Sequence, residues 1–304
     1  MNLDHAYRAL SEIFPQDQLL RKESMKRHTS FRIGGPVDLM ILPAETEQIR
    51  KALTVLKEND VPVMVMGNGS NLLVRDKGIR GAVIKIADRF SHTEVKDESI
   101  RAQSGILLST LSRIALKAGL TGLEFASGIP GTLGGAVTMN AGAYGGEMKD
   151  VIQRVSVMEE DGKIARLDEE QLSFGYRTSA IQDSNRIVLE TFLALKNGDY
   201  EESKALILDL TRRRQEKQPL SYPSAGSTFR RPVGYYAGKL IQDAGLRGLR
   251  VGDAQISELH SGFIINLGNA TAYDVIELIE QVKERVRERS GVKLQPEVKI
   301  VGQE

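Results

Sequence analysis

The chain has 304 residues, 41 lysines and arginines against 40 aspartates and glutamates, and a formal net charge of +1. So even a balance leaves no electrostatic footprint for nucleic acid or an anionic membrane, and the length points to two domains rather than one. The absence of cysteine excludes disulfides, thiolate metal sites and cysteine nucleophiles, while His5, His28, His92 and His260 lack ligand spacing, so no metal is expected.

No basic, apolar leader opens the chain and no apolar run approaches a membrane span, so a cytoplasmic protein without membrane insertion is expected. Helix and strand patterns then alternate, the mark of a mixed α and β protein. Thr46 reads as the N-cap of a helix with its stripe at Ile49, Ala52, Leu53 and Leu56, and residues 61–66 read as a strand. That strand runs into a first glycine-rich loop, Gly67-Asn68-Gly69-Ser70-Asn71, and residues 81–86 follow as a further strand. Leu108, Leu111, Ile114, Ala115 and Ala118 form a helical stripe closed by Gly119.

A second glycine-rich stretch runs from Ser127 and Gly128 through Gly131, Gly134, Gly135, Asn140 and Gly142 to Gly146. It also holds Ile129, Leu133, Val137 and Met139, so it reads as a loop packed around a ligand rather than a linker. Residues 201–217 read as a helix running through Arg212, Arg213 and Arg214 and stopped by Pro219. The last helix has a capping box at Thr271 and Asp274, a stripe at Val275, Leu278, Ile279, Val282 and Val286, and a stop at Gly291. A boundary near residue 200 divides the chain into 1–200 and 201–304.

Paired glycine loops place bare backbone N–H groups against something negative, because glycine reaches φ > 0 and presents no Cβ. A dinucleotide diphosphate is the natural ligand, with Asn68, Ser70 and Asn71 as additional donors. The first loop reads Gly67-x-Gly69-x-x-Leu72 and leads to Leu73-Val74 rather than a helix, which argues against the Rossmann fingerprint, and no P-loop motif occurs.

These residues also carry a family resemblance. Residues 29–36 (TSFRIGGP), both loops, Tyr176-Arg177, residues 225–232 (AGSTFRRP) and residues 295–298 (QPEV) occur in order along nearly the whole chain. Together they resemble the UDP-N-acetylenolpyruvoylglucosamine reductase (MurB) family, in its shorter class that lacks an extra substrate-domain insertion. The resemblance implies an α+β protein. Its two-lobed FAD-binding domain is of the vanillyl-alcohol-oxidase (PCMH) type and is followed by a smaller α/β substrate-binding domain.

It further implies non-covalent FAD, NADPH as hydride donor, and the substrate UDP-N-acetylglucosamine enolpyruvate, with no obligatory protein partner. The implied flavin residues are Gly67, Asn68, Gly69, Ser70, Asn71, Ser127, Gly128, Gly131, Gly134, Gly135, Asn140 and Gly142. Ser227 is implied as proton donor to C2 of the enolpyruvyl group, with Arg177 and Glu297 at its carboxylate. Lys217 and Arg214 are implied at the UDP diphosphate, and Arg231 and His260 elsewhere on the substrate.

The chemistry needs such groups: hydride addition at C3 develops negative charge toward C2 and the carboxylate, and C2 must then be protonated. A guanidinium offsets that charge, whereas a carboxylate beside it repels, so a raised pKa is expected of Glu297. Each residue has a plainer reading: Ser227 as a turn residue, Arg177 as a surface arginine, Glu297 as a solvated strand end, and the arginine cluster as a solvated helix end. A flavin oxidase of an alcohol or sugar is the alternative enzyme, although no histidine in either loop could tether its flavin covalently. A nucleotide-sugar sensor is the non-enzymatic alternative.

Overall fold

A computed structural model describes residues 1–304, and the chain divides into two compact units that interleave in sequence. Unit 1 comprises Met1–Leu20, Leu39–Asn68 and Gly81–Arg214, and unit 2 comprises Arg21–Asp38, Gly69–Arg80 and Gln215–Glu304. A boundary placed near residue 200 therefore differs from the structure in two ways. Unit 1 keeps most of the helix Tyr200–Lys217, and unit 2 takes two segments from the N-terminal half. The reason is pairing at long range, which leaves no local trace in sequence.

Unit 1 has two hydrophobic cores. One lies under a five-stranded antiparallel sheet in the order Ile164–Asp168, Ile152–Met158, Ile187–Ala194, Ser99–Gln103, Thr93–Lys96. Strand alternation turns Ile100 and Ala102 inward, where they meet Leu108, Leu111 and Ala115 of the helix Leu108–Lys117 and Leu133, Ala136 and Val137 of the helix Leu133–Met139. In the other core, Ala6 and Leu10 of Leu3–Ser11 and Ile49, Ala52 and Leu56 of Thr46–Glu58 cover Ala82 and Ile84. Those last two lie on a strand running parallel to Val63–Met66.

Two local expectations change. Thr46 is the first helical residue rather than the cap. Glu45 occupies that position without a side-chain bond, and Gln48 Oε1 closes the helix start by accepting from the Ala44 N–H at 2.7 Å. The stretch read as one loop from Gly128 to Gly146 contains the short helix Leu133–Met139, which ends at Asn140 in the left-handed region with φ 44°.

Unit 2 is built on an antiparallel sheet in the order Ser224–Ser227, Phe263–Asn266, Ala254–Ile256, Arg250–Val251, packed by the helices Ala237–Asp243 and Ala272–Ser290. Phe31, Ile33 and Leu73 from the early segments are buried in the same core. Leu72–Val74 pairs in parallel with Lys299–Val301. Asn266 Nδ2 donates to the Phe31 carbonyl at 3.1 Å, and Ser30 Oγ donates to the Ser224 carbonyl at 2.7 Å. The expected capping box at Thr271 and Asp274 forms, and Gly291 closes the helix with φ 72°.

Candidate active site

In unit 1 the two glycine loops meet. Asn68 Nδ2 donates to the Pro130 carbonyl at 3.1 Å, and Gly67 lies so close to Thr132 that a Cβ there would stand 2.1 Å from Thr132 Oγ1. Any side chain at position 67 would push the loops apart. The backbone N–H groups of Asn68, Gly128 and Gly131 find no acceptor within the unit. Such N–H groups, on part-exposed residues in glycine-rich loops, fit an anionic diphosphate, so the loop residues suit the FAD implied by the family resemblance.

Among the twelve candidate flavin residues, Gly134 and Asn140 are committed to contacts inside unit 1. Gly134 donates its N–H to the Ser104 carbonyl at 2.8 Å and packs its Cα against that serine. Asn140 is fully buried, with its amide committed inside the protein: Nδ2 donates to Glu147 Oε2 at 2.9 Å and to the Gly175 carbonyl at 3.0 Å, while Oδ1 accepts from the Lys149 N–H at 3.0 Å. Its side chain has no donor left for a cofactor.

Asn140 instead holds the turn that presents Arg177. Gly175 and Thr178 exchange backbone hydrogen bonds at 3.0 and 3.3 Å across Tyr176 and Arg177. Arg177 takes φ 56°, a conformation costing a non-glycine residue roughly 1–2 kcal/mol. Its Nη2 donates to the Gly142 carbonyl at 3.1 Å. Residues 140–142 thus grip the turn at its base through Asn140 and at its tip through Gly142. Sequence reading missed this role, because neither the helix Leu133–Met139 nor the burial of Asn140 leaves a local pattern.

In unit 2, Gly69 and Asn71 of the first loop bond to other segments of the chain. Gly69 O accepts from the Ser30 N–H at 3.3 Å, and Asn71 Nδ2 donates to the Glu297 carbonyl at 3.1 Å. Ser227 stands at the end of Ser224–Ser227, where the register against Phe263–Asn266 slips in a bulge and Gly226 adopts φ 77°. A bulge re-aims the side chain that follows it, and only glycine takes such a φ without strain. Ser227 is part-exposed, with Oγ 3.3 Å from the Phe229 carbonyl. The Glu297 N–H donates to the Thr228 carbonyl at 2.8 Å, so the structure brings the segment carrying Glu297 against the residue that follows Ser227. His260 adjoins the same place through Gly262.

The cations differ in their surroundings. Lys217 is exposed at the end of its helix in unit 2. Arg214, in unit 1, lies against Gly128, where a Cβ would stand 2.9 Å from Nη1, and burial lowers its pKa without a carboxylate partner. Arg231 is exposed and covers the Tyr236 ring at 4.0 Å.

The folded chain matches two family models, an FAD binding domain over residues 37–168 and the C-terminal domain of UDP-N-acetylenolpyruvoylglucosamine reductase over residues 218–301. It is therefore an FAD-dependent oxidoreductase of the PCMH type. An alkyldihydroxyacetonephosphate synthase shares that fold at a TM-score of 0.51 and 14% identity, covering 98% of this chain and 61% of its own. The chain is 56% identical over 299 residues to the UDP-N-acetylenolpyruvoylglucosamine reductase of Alkaliphilus oremlandii, covering 98% of each, and 50% identical to that of Clostridioides difficile over the whole of both. The crystal structure of the reductase from Thermus caldophilus superposes with a TM-score of 0.79 at 38% identity, covering 93% of this chain and 97% of that one. The chain belongs to the UDP-N-acetylenolpyruvoylglucosamine reductase family.

Proposed function

We propose that the protein reduces UDP-N-acetylglucosamine enolpyruvate to UDP-N-acetylmuramate with NADPH, a step of peptidoglycan synthesis. The observation that carries this reading is membership of the reductase family along the entire chain. When bound at the glycine loops around Asn68, Gly128 and Gly131, FAD would supply the hydride-transfer chemistry between NADPH and C3 of the enolpyruvyl group. The residues of this chain do the rest. Ser227, aimed by its bulge, gives a proton to C2. Arg177, clamped by Asn140 and Gly142, holds the substrate carboxylate and offsets the charge that develops there. Glu297, on the segment bonded to Thr228, works at the same carboxylate end.

Lys217 takes the UDP diphosphate, a role its exposure supports. Arg214 is better suited to the anion at the glycine loop, because a half-buried guanidinium beside Gly128 without a carboxylate calls for an anionic ligand there. Arg231 and His260, both in unit 2, complete the proposed substrate-binding residues. No helix is long and apolar enough to cross a membrane, and a reaction on nucleotide substrates fits the cytoplasm.

The test is spectroscopic. Protein purified with FAD should bleach on adding NADPH without air, and the flavin spectrum should return on adding the enolpyruvyl sugar nucleotide. Acid should release the FAD. Flavin that NADPH leaves unbleached, and that an alcohol or sugar reduces, would assign the protein to the oxidases instead.

A further inference from the structure

We infer that His260 is a positioning residue for Ser227: as an acceptor at Nδ1 it clamps the Gly262 peptide against which Ser227 is set, and the clamp holds only while the ring is neutral. This rests on the reading of Ser227 as proton donor.

The contacts form a chain of short steps. The Gly262 N–H donates to His260 Nδ1 at 3.1 Å, and the Gly262 carbonyl accepts from the N–H of Thr228, the neighbour of Ser227, at 2.8 Å. A methyl group at Gly262 would stand 3.1 Å from Nδ1 and 3.4 Å from Ser227 Oγ, so the imidazole and the hydroxyl flank one Cα. The ring itself is held. It sits edge-on to Phe263 at 5.0 Å, while the backbone of His260 is bonded to Ser257 Oγ and to the Phe263 N–H. An acceptor at Nδ1 puts the proton of the neutral ring on Nε2.

Protonation would turn Nδ1 into a donor facing the Gly262 donor, and the clamp would open. The charged groups around the ring do not oppose this switch. On the helix Ala237–Asp243, which approaches through Gly238, Lys239 is paired with Asp243. The Glu258 carboxylate lies at Gly248, Arg231 lies over Tyr236, and Glu297 is bonded through its backbone to Thr228. Burial pushes the imidazole below its usual range, which keeps the clamp closed at neutral pH.

Three FAD-loaded proteins decide it: the wild type, His260→Asn, whose Oδ1 can accept where Nδ1 does but does not protonate, and His260→Ala. Each half-reaction is followed by stopped flow without oxygen from about pH 8 to about pH 5, across the imidazole range. In the wild type, reoxidation by the enolpyruvyl substrate should slow as the pH falls through the His260 pKa, while reduction by NADPH shows no matching step. His260→Ala should slow reoxidation on the order of 10²-fold at every pH, the scale of a misplaced catalytic group. His260→Asn should recover most of that rate and lose the acid-side step. Retention of the step in His260→Asn, or a wild-type rate and profile in His260→Ala, would overturn the proposal.

A ¹⁵N titration of the ring in the resting enzyme gives a readout independent of turnover. It should show the Nε2–H tautomer and a pKa below that of a free imidazole. The opposite tautomer would sink the clamp even in an active enzyme, whereas an enzyme that reduces no enolpyruvyl substrate would sink the functional reading and leave the clamp testable by the titration.

Discussion

A serine hydroxyl is a weak acid, so the role proposed for Ser227 rests on placement: the bulge at Gly226 sets its direction, and the next residue, Thr228, is bonded both to Gly262 and to Glu297. Ser227→Ala should therefore leave reduction by NADPH nearly intact, because no proton goes to the substrate in that step. Reoxidation by the enolpyruvyl sugar should slow by ~10²–10⁴-fold, the usual contribution of a positioned general acid. Stopped-flow absorbance of each half-reaction separates the two, and equal slowing of both would point to a damaged flavin pocket. The cations on the helix Tyr200–Lys217 should part company as well. Lys217→Ala should raise KM for the sugar nucleotide more than it lowers kcat, since a diphosphate remote from the reacting carbons is bound alike in ground and transition states. Arg214→Ala should weaken retention of FAD, measured by equilibrium dialysis. A substrate KM raised equally in both variants, with FAD held normally, would put Arg214 back beside Lys217 at the substrate.

At the level of elements, the helix Ala272–Ser290 receives two layers of capping. Thr271 and Asp274 form the reciprocal box, and the carboxylate of Asp76 accepts from the N–H groups of Ala272 at 2.9 Å and Tyr273 at 3.1 Å. A carboxylate on the first N–H groups of a helix satisfies orphan donors and complements the helix dipole. Asp76→Ala should lower unfolding free energy by about 1–2 kcal/mol, read from the urea midpoint at constant slope. A change below about 0.5 kcal/mol would mean that water replaces the carboxylate freely. The two layers differ in how readable they are. The box and the Gly291 stop are local patterns and stand where the sequence places them, whereas Asp76 acts from 196 residues away. The same divide runs through the site. Glycine loops reveal themselves by composition, but the grip of Asn140 on Gly175 and the closing of the first helix turn by Gln48 depend on which segments fold together. A fully buried asparagine and a ligand-facing one are written with the same letter.

For the molecule as a whole, the decisive fact is that unit 2 is not a contiguous stretch of chain. The family model for the C-terminal domain covers residues 218–301, yet its core is completed by Phe31, Ile33 and Leu73, and its parallel pairing partner is Leu72–Val74. Burial of three such side chains contributes roughly 1.5–3 kcal/mol each. That total is comparable with the whole net stability of a typical domain, about 5–15 kcal/mol. A fragment of residues 215–304 expressed alone should consequently lack cooperative unfolding in urea and expose apolar surface, even though its four-stranded sheet and both helices are encoded within it. Grafting residues 21–38 and 69–80 onto the fragment through flexible linkers should restore a cooperative transition, followed by circular dichroism and fluorescence. If the bare fragment unfolds cooperatively with a midpoint near that of the intact chain, the early segments merely cover a core that the C-terminal part closes for itself.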